Sequence, residues 1–98
     1  MSVTVIYDFR AAEGKADELL AMLREGRDFS ATVEGFEAFD VYQGHDDPHR
    51  FVMVERWTSV DAHRSHFEKN VKGSGLLDKA EALMTGRLNV GDPYYVRR

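Results

Sequence analysis

The sequence predicts an α+β fold of ferredoxin-like topology: an antiparallel sheet with its helices on one face, in the order β-α-β-β-α(α)-β. Two observations lead there. Strand-like segments give way to helical spacing twice, and a short polar turn joins the second and third strands. Two right-handed crossovers around a central hairpin produce this topology. At 98 residues, 43% hydrophobic and 31% charged, residues 1–98 read as one folded domain with one modest core and no repeat, linker or low-complexity segment.

The first strand is Val3 to Arg10, "VTVIYDFR", rich in β-branched and aromatic residues. Gly14 marks the turn after it. From Lys15 to about Phe29 the spacing becomes helical, with Ala16, Leu19, Leu20 and Leu23 on one stripe and charges between them. Gly35 breaks the chain before a second strand, Phe36 to Gly44. "HDDPH", His45 to His49, is turn chemistry, and Arg50 to Trp57, "RFVMVERW", is the strongest strand. Thr58 followed by Asp61 has capping-box spacing and starts a helix carrying His63, His66, Phe67 and Asn70. "KGSG", Lys72 to Gly75, interrupts it; Leu76, Ala80, Leu83 and Met84 form a further helical stripe. Arg87 to Val90 and Tyr94 to Arg97 make a final extended region around Gly91-Asp92-Pro93.

The third strand carries a further implication. Phe51, Met53 and Trp57 point to one side, Val52 and Val54 to the other. A strand apolar on both sides needs both sides covered, and the helices cover only one. The same face of a second copy is the simplest cover, so a homodimer joined through its sheet faces is expected.

A formal net charge of -4 without a basic cluster argues against nucleic acid or an anionic membrane as partner. The absence of cysteine removes disulfides, thiolate metal sites and cysteine nucleophiles. "MSVTVIYDFR" does not have the form of a signal peptide, and no apolar run is long enough to span a bilayer, so a cytoplasmic protein is expected.

Chemistry concentrates around the third strand and the helix after it. Glu55 shares the side of Met53 and Trp57, and His63, His66, Phe67 and Asn70 recur at i, i+3, i+4 and i+7. If that helix surface faces the sheet, two imidazoles, an indole and a carboxylate converge in an apolar pocket suited to a small hydrophobic ligand, with a proton acceptor near neutral pH. Each residue also has a plainer reading: the histidines as a half-exposed helix edge, Trp57 as a core aromatic, Glu55 as a carboxylate bonded to the backbone or to an Arg or Lys, Tyr7 as core. His45, Asp46, Asp47 and His49 have metal-ligand chemistry, but on a polar turn they read as solvated. Two histidines with Asp61 or Glu55 lack the spacing support for an iron site, and no metal ligands are assigned.

"DPHRFVMVERWTSVDAHRSHF", residues 47 to 67, resembles the antibiotic biosynthesis monooxygenase family. The residues carrying the likeness are Asp47-Pro48, the apolar Phe51 to Val54, Glu55, Trp57, Ser59, Ala62 and His66, with Gly14 and Gly35 extending it. The resemblance implies a dimeric α+β barrel. It also implies oxygen chemistry on quinols, hydroxyaromatics or anthrone-like molecules with no cofactor, or in other members haem degradation; some members have no assigned activity. The family's tryptophan and helix histidine correspond to Trp57 and His66. Haem-degrading members carry an asparagine where Tyr7 stands, which counts against that branch. The resulting expectation has His66, or His63, as general base, Tyr7 or the second histidine as hydrogen-bond donor, and Trp57, Met53, Glu55, Phe67 and Asn70 around the substrate. Its rivals are a haem-binding oxygenase with His66 on the iron, and a non-catalytic barrel that binds a small molecule.

Overall fold

A computed structural model of the chain describes residues 2–89 and 91–98. Five strands form one antiparallel sheet: β1 (Val3–Ala11), β2 (Phe36–Gln43), β3 (Arg50–Trp57), β4 (Met84–Arg87) and β5 (Tyr94–Tyr95). Their order is β2-β3-β1-β4, with β5 also on β1. Helix α1 (Ala16–Ser30) links β1 to β2; α2 (Val60–His66), a π-helical continuation (Phe67–Lys72) and α3 (Leu76–Glu81) link β3 to β4. The expected ferredoxin-like arrangement is the one the chain adopts.

The register states which residues share a face. Ile6 lies opposite Val54, Tyr7 opposite Met53 and Phe9 opposite Phe51; on the other side of β3, Phe39 is opposite Glu55 and Val41 opposite Met53. Since cross-strand partners share a face, Val3, Val5, Tyr7, Phe9 and Ala11 join Phe51, Met53, Glu55 and Trp57 beneath the helices. Leu19 and Leu23 of α1 pack on Phe9, Ala11, Phe51 and Leu83. A second cluster gathers Val3, Val5 and Trp57 with Phe36, Val60 and Tyr94. Tyr7 touches both clusters.

Local chemistry sets the ends of elements. Asp17 and Glu18 in the first turn of α1 and Arg27 in its last complement the helix dipole. Gly35 has φ +92°, and a Cβ there would stand 2.7 Å from the Ala62 Cβ, so the α1–β2 loop can rest on the start of α2 only without a side chain. In the β2–β3 turn Asp47 accepts from the His49 amide at 3.1 Å and pairs with Arg10.

Three expectations need correction. The cap of α2 is Ser59, not Thr58: its hydroxyl accepts from the Ala62 amide at 3.1 Å, and with alanine at that position no reciprocal acid closes a capping box. Leu83 and Met84 are not part of a helical stripe. The last helix ends at Glu81, Leu83 packs in the core, and Met84 opens β4 opposite Ala11, because that edge of β1 offers unpaired backbone groups. Of the final extended region only Arg87, the last residue of β4, and Tyr94–Tyr95 are strand, on that same edge, with Tyr94 opposite Val5 and Tyr95 opposite Thr4; Leu88, Asn89, Val96 and Arg97 are not, and Val90 lies outside the described residues. Among those residues no helix is long and apolar enough to cross a membrane.

Candidate active site

Between helices and sheet lies a cavity of about 590 Å³, of a size typical for small-molecule sites. Its walls are mainly apolar: Phe9 and Met53 from the sheet, Met22, Leu23 and Phe29 from α1, Leu76 and Leu77 from α3. Tyr7, Glu55, His63, His66, Phe67 and Asn70 also line it, so seven of the eight residues singled out in the sequence, Met53 included, come together. Trp57 does not. It is 0% exposed, packed behind the imidazoles, with its ring stacked 4.9 Å from that of His66. A side chain so large at the end of β3, covered by α2, fills the core and leaves no face for a ligand.

The polar wall is organised in two parts. In the first, Glu55 is 4% exposed and takes a hydrogen bond from the Trp57 indole N–H on Oε1 at 2.9 Å. Its cross-strand neighbours are Val5 and Phe39. Burial pushes the carboxyl up to about 7, and the indole N–H only partly opposes this. His63, 3% exposed, sits with Nε2 3.9 Å from Glu55 Oε1 and 3.5 Å from the Tyr7 hydroxyl, and with Nδ1 2.8 Å from the Tyr94 hydroxyl. Burial, then His66 and Arg64, lower its imidazole to about 4. At that value His63 is neutral at pH 7, so its approach to Glu55 is not an ion pair. Nε2 faces two oxygens, one of them a carboxylate, which assigns the ring proton to Nε2 and leaves Nδ1 to accept from Tyr94. Burial first, and then the Glu55 charge, raise the Tyr7 phenol, keeping it a donor at neutral pH.

In the second part His66, 6% exposed, is held between the rings of Trp57 and Phe29. Asn70 Nδ2 donates to its Nδ1 at 3.1 Å, so Nε2 carries the proton and donates to the Ser30 hydroxyl at 3.2 Å. Burial lowers this imidazole as well. Both nitrogens are engaged, which does not fit an axial ligand for haem iron. Among the described residues no three His, Asp or Glu side chains could hold a metal ion.

Tyr94, Ser30, Phe29 and Phe39 were not anticipated. Ser30 continues the α1 stripe through Leu23 and Gly26 at helical spacing, a signal present in the sequence. Tyr94 reaches His63 from a two-residue strand 31 positions away, and no local pattern marks such a contact.

The chain thus combines a ferredoxin-like sheet with a ligand-sized cavity, polar on one side, under its helices. The model of the antibiotic biosynthesis monooxygenase family matches residues 2–70, and the chain belongs to that family. No curated protein matches it. Among solved structures, a candidate antibiotic biosynthesis monooxygenase from Nitrosomonas europaea is 23% identical (TM-score 0.82), the match covering 96% of this chain and 88% of that one. The protein PA3566 from Pseudomonas aeruginosa is 25% identical (TM-score 0.79, 99% and 94% covered). A variant of SnoaB, a cofactor-independent oxygenase from Streptomyces nogalater, is 22% identical (TM-score 0.76, 91% and 92% covered).

Proposed function

We propose that the protein is a cofactor-independent monooxygenase acting on a small hydroxyaromatic, quinol or anthrone-like molecule. The observation that carries this reading is the pairing, in one cavity, of apolar walls with a polar patch of buried Glu55 and His63 and half-buried Tyr7. Family membership and the likeness to a cofactor-independent oxygenase support it.

The chemistry asks little beyond that patch. Dioxygen in its triplet ground state does not attack a closed-shell ring, whereas the ring's anion can give it an electron. Loss of a proton is therefore the first step, and hydrogen bonds to the oxygen that gains charge favour it. The Tyr7 hydroxyl and the His63 Nε2–H are the donors for that oxygen. For an anthrone-type substrate the balance is simple: the ring methylene and one dioxygen molecule give a carbonyl and one water. One oxygen atom enters the product, the other leaves as water with the two methylene hydrogens, and the substrate supplies the electrons. Met53, Phe67 and the α1 and α3 side chains hold the ring away from water. His66, locked by Trp57, Phe29, Ser30 and Asn70, is a positioning residue that sets the cavity wall.

The assembly belongs to the same proposal. The sheet face away from the helices carries Ile6, Val52 and Val54 half-buried and Tyr42 exposed. Two of its charged pairs close within the chain: Arg50 grips Asp8 with two bonds of 2.8 Å, and Arg10 pairs with Asp47, while Asp40, opposite Val54, and Arg56 stand exposed on it. Such a face suits a second copy of the chain.

Metal-depleted protein in an oxygen electrode, offered dihydroxynaphthalenes and anthrones, tests the activity. Oxygen uptake above autoxidation is expected, falling at least ~100-fold in His63→Ala. Binding without uptake would instead make the protein a carrier.

A further inference from the structure

Both histidines have their basic lone pairs engaged: Asn70 holds that of His66, and Tyr94 holds that of His63. Two carboxylates border the cavity, Glu55 and Glu81, and only Glu55 is buried; Glu81 is exposed at the end of α3. Trp57 binds the Glu55 Oε1, and no lysine or arginine among the described residues pairs with it. The notion of Glu55 as a structural carboxylate paired with a cation therefore finds no partner. The carboxylate is buried between Val5 and Phe39, yet it borders an open cavity whose nearest polar groups, Tyr7 and His63, are donors. A base beside two neutral donors is the arrangement that enolises a ketone: one group takes the carbon-bound proton while the others bind the oxygen that becomes negative.

We infer that Glu55 is the proton acceptor of this cavity, and that the protein enolises carbon acids of the anthrone or β-dicarbonyl class in the absence of oxygen. In the step the C–H bond breaks, its electron pair becomes the C=C bond of the enolate, and the carbonyl π pair moves onto oxygen. The proton goes to Glu55, and the Tyr7 hydroxyl and His63 Nε2–H donate to the enolate oxygen. No electron is lost, so no oxidant is required. Returning the proton from Glu55 to carbon or to oxygen gives exchange or tautomerisation. Burial, which raises the carboxyl toward neutrality, makes it a stronger base than an exposed glutamate once ionised.

This inference rests on the cavity being the substrate site, but it can fail separately from the oxygenase reading. The test is deuterium exchange into anthrone and into a cyclic β-diketone in heavy water, followed by NMR under argon, with wild type, Glu55→Gln and Glu55→Asp. Glutamine keeps an acceptor for Trp57, so its fold is expected to survive, and circular dichroism checks this. Wild type should accelerate exchange above buffer. Glu55→Gln should lose at least ~100-fold, and Glu55→Asp, with its carboxylate drawn back by one methylene, should fall between. Exchange at the wild-type rate in folded Glu55→Gln overturns the inference. So does oxygen uptake by wild type with no anaerobic exchange, which leaves the oxygenase standing. Exchange that depends on Glu55 without any oxygen uptake supports the inference and removes the oxygenase.

Discussion

Glu55 and His63 stand 3.9 Å apart in the same buried wall, and burial pushes each toward neutrality from its own side. For stability the signs are opposite. The folded protein holds the Glu55 proton more tightly than the unfolded chain, so stability present below pH 4.5 is lost as pH rises through about 7. It holds the His63 proton less tightly, so stability present above 6.5 is lost as pH falls through about 4. Each effect is on the order of 3 kcal/mol at its limit. The two opposed limbs cancel between pH 4.5 and 6.5 and leave a plateau there, with stability falling on either side. Glu55→Gln should therefore be the more stable protein at pH ~8, by up to about 3 kcal/mol, and little changed at pH ~5, as urea denaturation at the two pH values would show. Neither shift could be read from the sequence, because burial, the first cause of each, comes from packing against elements distant in the chain, Val5 and Phe39 beside Glu55 among them; only the further lowering of His63 by His66 and Arg64 comes from its own helix.

At the scale of elements, the helix after β3 carries the site, and two small residues hold it in place. Gly35 lets the α1–β2 loop meet Ala62, and its carbonyl accepts from the Thr58 amide at 2.9 Å. Gly35→Ala meets both a positive φ and the 2.7 Å approach. It should cost about 1–3 kcal/mol by thermal denaturation and loosen the His63–Glu55 geometry with it. Ser59→Ala removes the α2 cap and should cost about 1 kcal/mol, with weaker effects on the site. Further along, the Gly73 amide bonds to the Glu68 carbonyl at 2.9 Å, a wide i→i+5 turn. A Cβ at Gly73 would lie 2.8 Å from that carbonyl oxygen, which is why the wide turn closes on glycine. The break at "KGSG" was legible from its glycines; the π-helical turn before it has no composition of its own and was not.

For the whole molecule, alternation in β1 and β3 and the helical stripe of α1 were enough to order the fold. They carry long, strongly periodic segments. The C-terminal edge was less legible, since Met84–Arg87 and Tyr94–Tyr95 are too short to show a period and owe their strand form to the free edge of β1. The site was legible where it lies on one continuous stretch, Met53 to Asn70. Of the residues other elements contribute, Tyr7 on β1 was legible while Ser30, Phe29, Phe39 and Tyr94 were not, and Trp57 shows a further limit: a family position marks the residue as important without stating which side of it faces the cavity. The open sheet face gives the prediction proper to this scale. Val54, opposite Ile6 in the middle of that face, should tolerate aspartate in the fold but not in the dimer. Val54→Asp should sediment as a monomer where wild type sediments as a dimer, and a monomeric wild type would end the proposal of sheet-to-sheet assembly.

The oxygenase reading is tested most directly by turnover of an anthrone with metal-depleted protein under oxygen-18 gas, the product being weighed by mass spectrometry. One labelled oxygen atom per product molecule is expected, at a rate that His63→Ala and Glu55→Gln each lower at least ~100-fold. An unlabelled product, or labelling that proceeds as fast in both variants, would contradict the assignment of this cavity as the site of oxygen chemistry.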